Sequence, residues 1–230
     1  DRLVRNDRIA WGASMIACND ADAMVTGNIR HYAASIEKLK RVTDPRPGEE
    51  IFGMTMITLK GKTILVADTN VQDFPSPERL VKVSKSCVRV ARLFGFDPKV
   101  AFLSHSTFGK PISKNTKHVR DAIELLKKEN VDFDFDGEMQ PDVALNPIYQ
   151  DIYPFSKIVG NANILIMPAL HSAAISTKLM KVFGGGKLIG PLLIGLGSPI
   201  EVAPLRASTS EILNLASIAA YSSDVIDYDN

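Results

Sequence analysis

Ser104-His105-Ser106 places two hydroxyls on either side of an imidazole, the residue types of nucleophilic chemistry. A hydroxyl nucleophile needs its base within hydrogen-bond reach. These residues end a short apolar run, however, and successive side chains of a strand point to opposite faces, so Ser104 and His105 are not expected to bond directly. No G-x-S-x-G elbow surrounds them, and the segment does not read as a serine hydrolase. Gly184-Gly185-Gly186-Lys187 invites comparison with a phosphate loop, which needs a Ser or Thr after its Lys and an earlier Gly. Leu188 follows the Lys and Lys181 takes the early Gly position, so the segment reads as a flexible helix-to-strand connection. No G-x-G-x-x-G follows a strand.

His31, His105, His118 and His171 lack metal-ligand spacing and have no Cys beside them, so no metal site is expected. His118, on a Lys/Arg-rich helix, reads as a solvated side chain. Asp132, Asp134, Asp136 and Glu138 alternate with period two. That spacing puts them on one face of a strand, opposite Phe133 and Phe135, and reads as a polar sheet edge in preference to a metal site.

These residues must be positioned by short apolar runs alternating with helical patterns. Strands are expected at 23–26, 53–59, 63–67, 99–104, 132–136, 163–168 and 188–193. The runs at 64–67 and 164–167 are apolar on both faces, as suits strands covered on both sides. Gly61-Lys62 reads as a tight hairpin turn. Pro75-Ser76-Pro77-Glu78 opens a helix with Leu80, Val83, Cys87, Val90 and Phe94 on one face and Gly95 at its end. Further helices are expected at 115–129, with Val119, Ile123 and Leu126 inward, and at 172–183. The last helix opens on the capping-box pattern Ser208-Thr209-Ser210-Glu211 and turns Ile212, Leu215 and Ala219 inward. Strand–helix alternation of this kind predicts an α/β fold with a mostly parallel sheet. The segment 44–48 is the expected hinge between lobes.

Composition excludes several functions. The 230 residues are 45% hydrophobic and 23% charged, with a formal net charge of +1, so no global field draws nucleic acid or anionic lipid. The longest apolar stretch, 188–197, is interrupted by Pro191 and falls far short of the ~20 residues that span a bilayer. Two cysteines, Cys18 and Cys87, and no signal peptide read as a reducing cytoplasm. The chain opens at Asp1 and runs at once into Ile9-Ala10-Trp11, as a piece of a longer polypeptide would.

Several segments together resemble the phosphate acetyl/butyryl transferase family. They are Val4-Arg5-Asn6-Asp7 leading to Trp11-Gly12; Asp20-Ala21-Asp22-Ala23-Met24-Val25-Thr26-Gly27; Ala67-Asp68-Thr69 through Pro75-Ser76-Pro77-Glu78-Arg79-Leu80; Pro98 through Ser106; Asp136-Gly137-Glu138-Met139-Gln140-Pro141-Asp142; and Ile189-Gly190-Pro191-Leu192-Leu193-Ile194-Gly195. They stand in the family's order and spacing along essentially the whole chain. The resemblance implies two α/β lobes of the isocitrate-dehydrogenase-like type with mostly parallel sheets. Lobe one would comprise 1–48 and 190–230, without its N-terminal part, and lobe two 49–189. It also implies homo-oligomers formed through lobe two.

In active members, the resemblance implies, CoA's thiol attacks an acyl phosphate, an Asp near the last helix acts as base, and a Ser-Arg-Gly just before it steadies the phosphate charge. Those three positions read Pro204-Leu205-Arg206 here, so Leu205 replaces the Arg and Arg206 is displaced by one. Glu211 stands for the Asp and is also the capping-box acid. A second family arginine falls on Glu37, a repulsive substitution where phosphate docks. The family's Pro-Asp-Leu-Asn turn reads Pro168-Ala169-Leu170-His171, and Arg5 is the one family arginine retained. Losing one oxyanion-type donor typically costs ~3 kcal/mol of transition-state stabilisation.

Ser104-His105-Ser106-Thr107-Phe108-Gly109 and His31-Tyr32 resemble one branch, the transacetylase-like C-terminal domain of large NADP-dependent malic enzymes. That implies an acetyl-CoA-responsive regulatory domain without catalysis. NADP and a divalent metal would belong only to a malic enzyme domain outside this chain, and acetyl-CoA would be an effector. Candidate acyl-CoA or phosphate contacts are Arg5, Ser104, His105, Ser106, Thr107, Lys178, Lys181 and Arg206, with Lys187 as a further cation. The alternatives are an active phosphate acetyltransferase using Arg206 and Glu211 as displaced substitutes, and a dimerisation module.

Overall fold

The computed structural model of the chain describes residues 2–59, 61–67 and 74–226. In chain order, α1 (Arg2–Asn6) and α2 (Arg8–Ala17) precede β1 (Met24–Gly27) and α3 (Tyr32–Leu39). There follow β2 (Phe52–Leu59), β3 (Lys62–Ala67), α4 (Pro77–Leu93), β4 (Lys99–Leu103), α5 (Lys117–Lys128) and β5 (Asp134–Met139). The chain continues through α6 (Pro141–Leu145), β6 (Ile164–Ile166), α7 (Leu170–Phe183), β7 (Lys187–Ile194), β8 (Ile200–Ala203) and α8 (Thr209–Val225).

The chain packs as two compact units, 1–53 with 189–230 and 54–188, and β2 and β7 carry the backbone from one to the other and back. The second unit is built on a six-stranded sheet of order β5-β4-β6-β3-β2-β7. Strands β5, β4, β6 and β3 run parallel, while β2 and β3 form an antiparallel hairpin. The pairing Leu59↔Lys62 puts Lys62 in β3 and not, as expected, in a turn with Gly61; Lys60 lies outside the described residues, as do Asp68 and Thr69 of the motif begun at Ala67.

Strands β3 and β6 are buried on both faces, as their uninterrupted apolar runs predict. Ala101, Leu103, Met139 and Leu165 join Val143, Ile158 and Ala173 in the core on one side of the sheet. On α4, Leu80, Val83, Cys87 and Val90 are buried along one face, at the spacing of a 3.6-residue period. Ser76 caps the helix by accepting from Arg79 N at 3.3 Å, and Gly95 at φ +78 ends it. Helix α5 buries Val119, Ala122, Ile123 and Leu126 in the same way.

In the first unit, β1 and β8 form a two-stranded parallel sheet, Met24↔Ile200 to Gly27↔Ala203. Gly27 is required where it stands: a Cβ there would lie 2.3 Å from Ala203 O. Asp7 caps α2, accepting from Ile9 N at 2.9 Å and also from Lys38 and Arg30. Residues 44–46 are tied to 195–197 by Arg46 N to Gly195 O and Gly197 N to Asp44 O, both 2.9 Å.

Two strand expectations need correction. No strand was expected at 200–203, because the four-residue run contains Glu201, which is buried here and accepts from Leu193 N at 2.9 Å. The strand expected at 132–136 is β5 at 134–139, and its acidic alternation breaks at Gly137. Phe102 pairs with Gly137 and Leu103 with Met139, so Glu138 bulges out of register and turns into the protein. Gly137 sits at φ +146, where a Cβ would lie 2.6 Å from Phe102 O.

Candidate functional site

Strand order singles out one place in the second unit. Strand β4 leads through α5 to β5 on one side, whereas β6 leads through α7 to β7 on the other. Where neighbouring parallel strands send their connections in opposite directions, a crevice opens beyond their carboxyl ends. A cavity of about 910 Å³ lies there, walled by the segment after β4, the segment after β6 and the start of α5. Ser104 and His105 line it from β4, and Pro168, Ala169 and His171 from β6. Leu103, Met167 and Phe74 make it largely apolar, with Lys114 at its wall and Lys117 there paired to Asp121 at 2.6 Å.

The β4 segment is held in shape by buried groups behind it. Glu138, 1% exposed, accepts from Ser106 Oγ at 2.9 Å, Gly109 N at 3.1 Å and Arg120 Nη1 at 3.2 Å. Arg120 is itself aimed by Thr116 Oγ1 (2.6 Å) and Ser113 O (2.9 Å). Gln140 completes the clamp, its side-chain amide donating to His105 O at 2.6 Å and its backbone N–H to Thr107 Oγ1 at 3.2 Å. Ser106 and Thr107 therefore hold the loop and face away from the cavity, while Ser104, buried, and His105, exposed, border it. Both residues lie beyond the end of β4, and Ser104 Oγ is 3.2 Å from Ser106 Oγ.

The solvated reading of His118 is corrected: its Nε2 lies 2.9 Å from Pro168 O and the half-buried ring lines the cavity. His171 lines it too, its ring 5.5 Å from that of Phe74. Three histidines distant in sequence thus converge on one crevice. Neither spacing nor local pattern signals this, because convergence depends on strand order. Among the described residues, no group of three or more His, Cys, Asp or Glu is placed to hold a metal ion. The acids expected on one strand face have separate partners: Asp132 accepts from Arg92 at 3.0 Å, and Glu138 is the loop clamp.

The remaining site residues do not gather there. Lys178 and Lys181 are exposed on α7 and do not line the cavity, and Lys187 is exposed at the start of β7. In the first unit, Arg5 is exposed on α1. Pro204-Leu205-Arg206 follows β8, with Leu205 half-exposed and Arg206 at φ +59, its N–H donating to Asn28 O at 3.0 Å. Glu211 Oε2 accepts from Ser208 N and Ser208 Oγ, both at 2.8 Å, completing the capping box of α8. A carboxylate so placed offsets the partial positive charge of the helix end, which would otherwise attract phosphate. Glu37 is exposed on α3.

Comparison with known proteins agrees with this fold. An NADP-dependent malic enzyme of Rhizobium meliloti is 45% identical over 220 residues, covering 96% of this chain and 29% of that protein. A phosphate acetyltransferase of Bacillus subtilis is 28% identical over 216 residues, covering 93% of this chain and 67% of its own length. The crystal structure of a phosphotransacetylase from Streptococcus pyogenes superposes with a TM-score of 0.87 at 29% identity, over 94% of this chain and 67% of that one. The chain thus spans under a third of the malic enzyme it matches. The phosphate acetyl/butaryl transferase family model matches residues 1–220, and the chain belongs to that family.

Proposed function

We propose that this chain is a phosphotransacetylase-like domain without transacetylase activity that binds acetyl-CoA and regulates an NADP-dependent malic enzyme of which it is the C-terminal part. One observation carries the loss of catalysis. The family resemblance sets Leu205, half-exposed in the loop after β8, against an arginine, and Glu211 is engaged with Ser208 at the helix end. A developing phosphate charge would meet an aliphatic side chain and a carboxylate. The relatives support the setting, since malic enzymes match nearly all of the chain while the chain covers 29% of the R. meliloti protein.

Binding can outlast catalysis, because phosphate affinity needs cations whereas turnover needs a base and oxyanion donors. The crevice beyond β4 and β6 offers apolar walls for an acyl arm and Lys114 and histidines for anionic groups. Oxidative decarboxylation of malate to pyruvate, with NADP and a divalent metal, belongs in this reading to another part of a cytoplasmic polypeptide. Copies associate through the 54–188 unit. Acetyl-CoA alters the distant reaction only by binding two states of the assembly with different affinity.

The test is acetyl-CoA formation from acetyl phosphate and CoA, alongside a calorimetric titration with acetyl-CoA. The expected result is saturable binding with no turnover. Robust turnover would establish an active transferase using Arg206 and Glu211, and absence of binding would leave a dimerisation module.

A further inference from the structure

A second cavity, of about 1020 Å³, lies wholly within the first unit, at the amino ends of the parallel strands β1 and β8. Leu205 and Glu211 belong to the opposite end, beyond the carboxyl terminus of β8, so this cavity is separate from the positions where the family resemblance sets catalysis. Its walls are the C-terminal ends of α2 and α8 and the segment 42–47 after α3. The carbonyls that end a helix carry partial negative charge, which a basic side chain in the last turn ordinarily offsets. Neither α2 nor α8 has one. The last turn of α8 carries Asp224 instead, and Asp22 and Asp44 line the same cavity. Among the described residues of the lining, Arg46 is the one cation, which leaves the acids in excess.

Thr43 is an independent sign of an absent partner. It lines the cavity, is 7% exposed, and its Oγ1 is buried without a hydrogen-bond partner among the described residues. Buried hydroxyls are nearly always bonded, because an unmet one forfeits its bonds to water. An N–H donor held in the cavity would meet it.

The spread of the acids decides what kind of cation fits. Among the described residues no three of His, Cys, Asp and Glu converge to hold a metal ion, so a compact ion is not matched. The lining also includes Ile16, Val42, Pro199 and Val225. A methylene stem packs on such apolar surface while its charged end reaches a carboxylate. We propose that this cavity binds an aliphatic polyamine, with its ammonium groups at Asp22, Asp44 and Asp224 and one of them donating to Thr43 Oγ1.

Calorimetric titration of the full polypeptide with spermidine tests it, at ~0.15 M salt so that distant surface charges are screened. Saturable binding of one spermidine per chain is expected. Thr43→Val removes the unmet oxygen at nearly constant size, and the pair Asp44→Asn with Asp224→Asn removes two charges; each change should weaken binding about tenfold. Asp151→Asn, an exposed acid of the second unit, should leave it unchanged. Absence of binding, or affinity that the Asp44 and Asp224 pair leaves intact, would overturn the proposal. Displacement of spermidine by an equal concentration of magnesium would overturn it too, since attraction would then be by charge alone. If Thr43→Val loses its cooperative thermal transition, the Asp44 and Asp224 pair decides, since both side chains are exposed.

Discussion

Replacing Glu138 by Ala removes the group that holds the β4 segment against the cavity. The carboxylate is 1% exposed and accepts three hydrogen bonds, from Ser106, Gly109 and Arg120. Breaking a buried ion pair by deleting one partner typically costs ~3–5 kcal/mol, because the other charge is stranded. Arg120 is not fully stranded: its side chain is 32% exposed and keeps Thr116 and Ser113. The low end applies, giving about 3 kcal/mol. Glu138→Gln keeps an acceptor for Ser106 and Gly109 and loses only the charge, which reduces the cost to ~1 kcal/mol. Urea unfolding at constant m-value reads both. Glu138→Ala within ~0.5 kcal/mol of wild type would refute the clamp, since surface substitutions fall in that range.

Two further predictions concern buried acids in the first unit. Burial raises the Glu201 carboxyl to about 8, against its hydrogen bond from Leu193 N. The folded form then keeps a proton that the unfolded chain has lost, so stability falls as pH rises from ~4.5 toward 8; Glu201→Gln, freed of that linkage, should gain about 2–4 kcal/mol at pH 7.5. Thermal melts of the two proteins across pH 4–9 check this, and parallel curves would contradict it. Asp7 is held down at about 2, chiefly by the hydrogen bond from Lys38 and then by Ile9 and Ala10 N–H. Its contribution is full above the unfolded value near 4 and is lost as pH falls through 2, so Asp7→Ala should cost about 2 kcal/mol at pH 7. The difference should close near pH 2, which denaturation at the two pH values measures.

What the sequence reveals here depends on how local the determinant is. Helix α4 was legible because Ser76, Pro77 and Glu78 cap it and its apolar spacing repeats over four turns. Strands β3 and β6 were legible as apolar runs without interruption. Strand β8 was hidden by Glu201, whose burial depends on β7 and not on its own neighbours. Period two carried through Gly137 puts Glu138 on a polar strand face, but the register against β4 slips there. Leu205 is legible as a residue type, since the family resemblance sets it against an arginine. The convergence of His105, His118 and His171 was not, because it arises from β6 inserting between β4 and β3.

In the proposed function acetyl-CoA acts on this domain as a signal and not as a product. The most direct measurement is the initial rate of malate-dependent NADP reduction by the full polypeptide as acetyl-CoA is titrated. The expected result is a saturable change in rate that is lost when residues 1–230 are deleted. A rate indifferent to acetyl-CoA, or one that still responds without them, would contradict it.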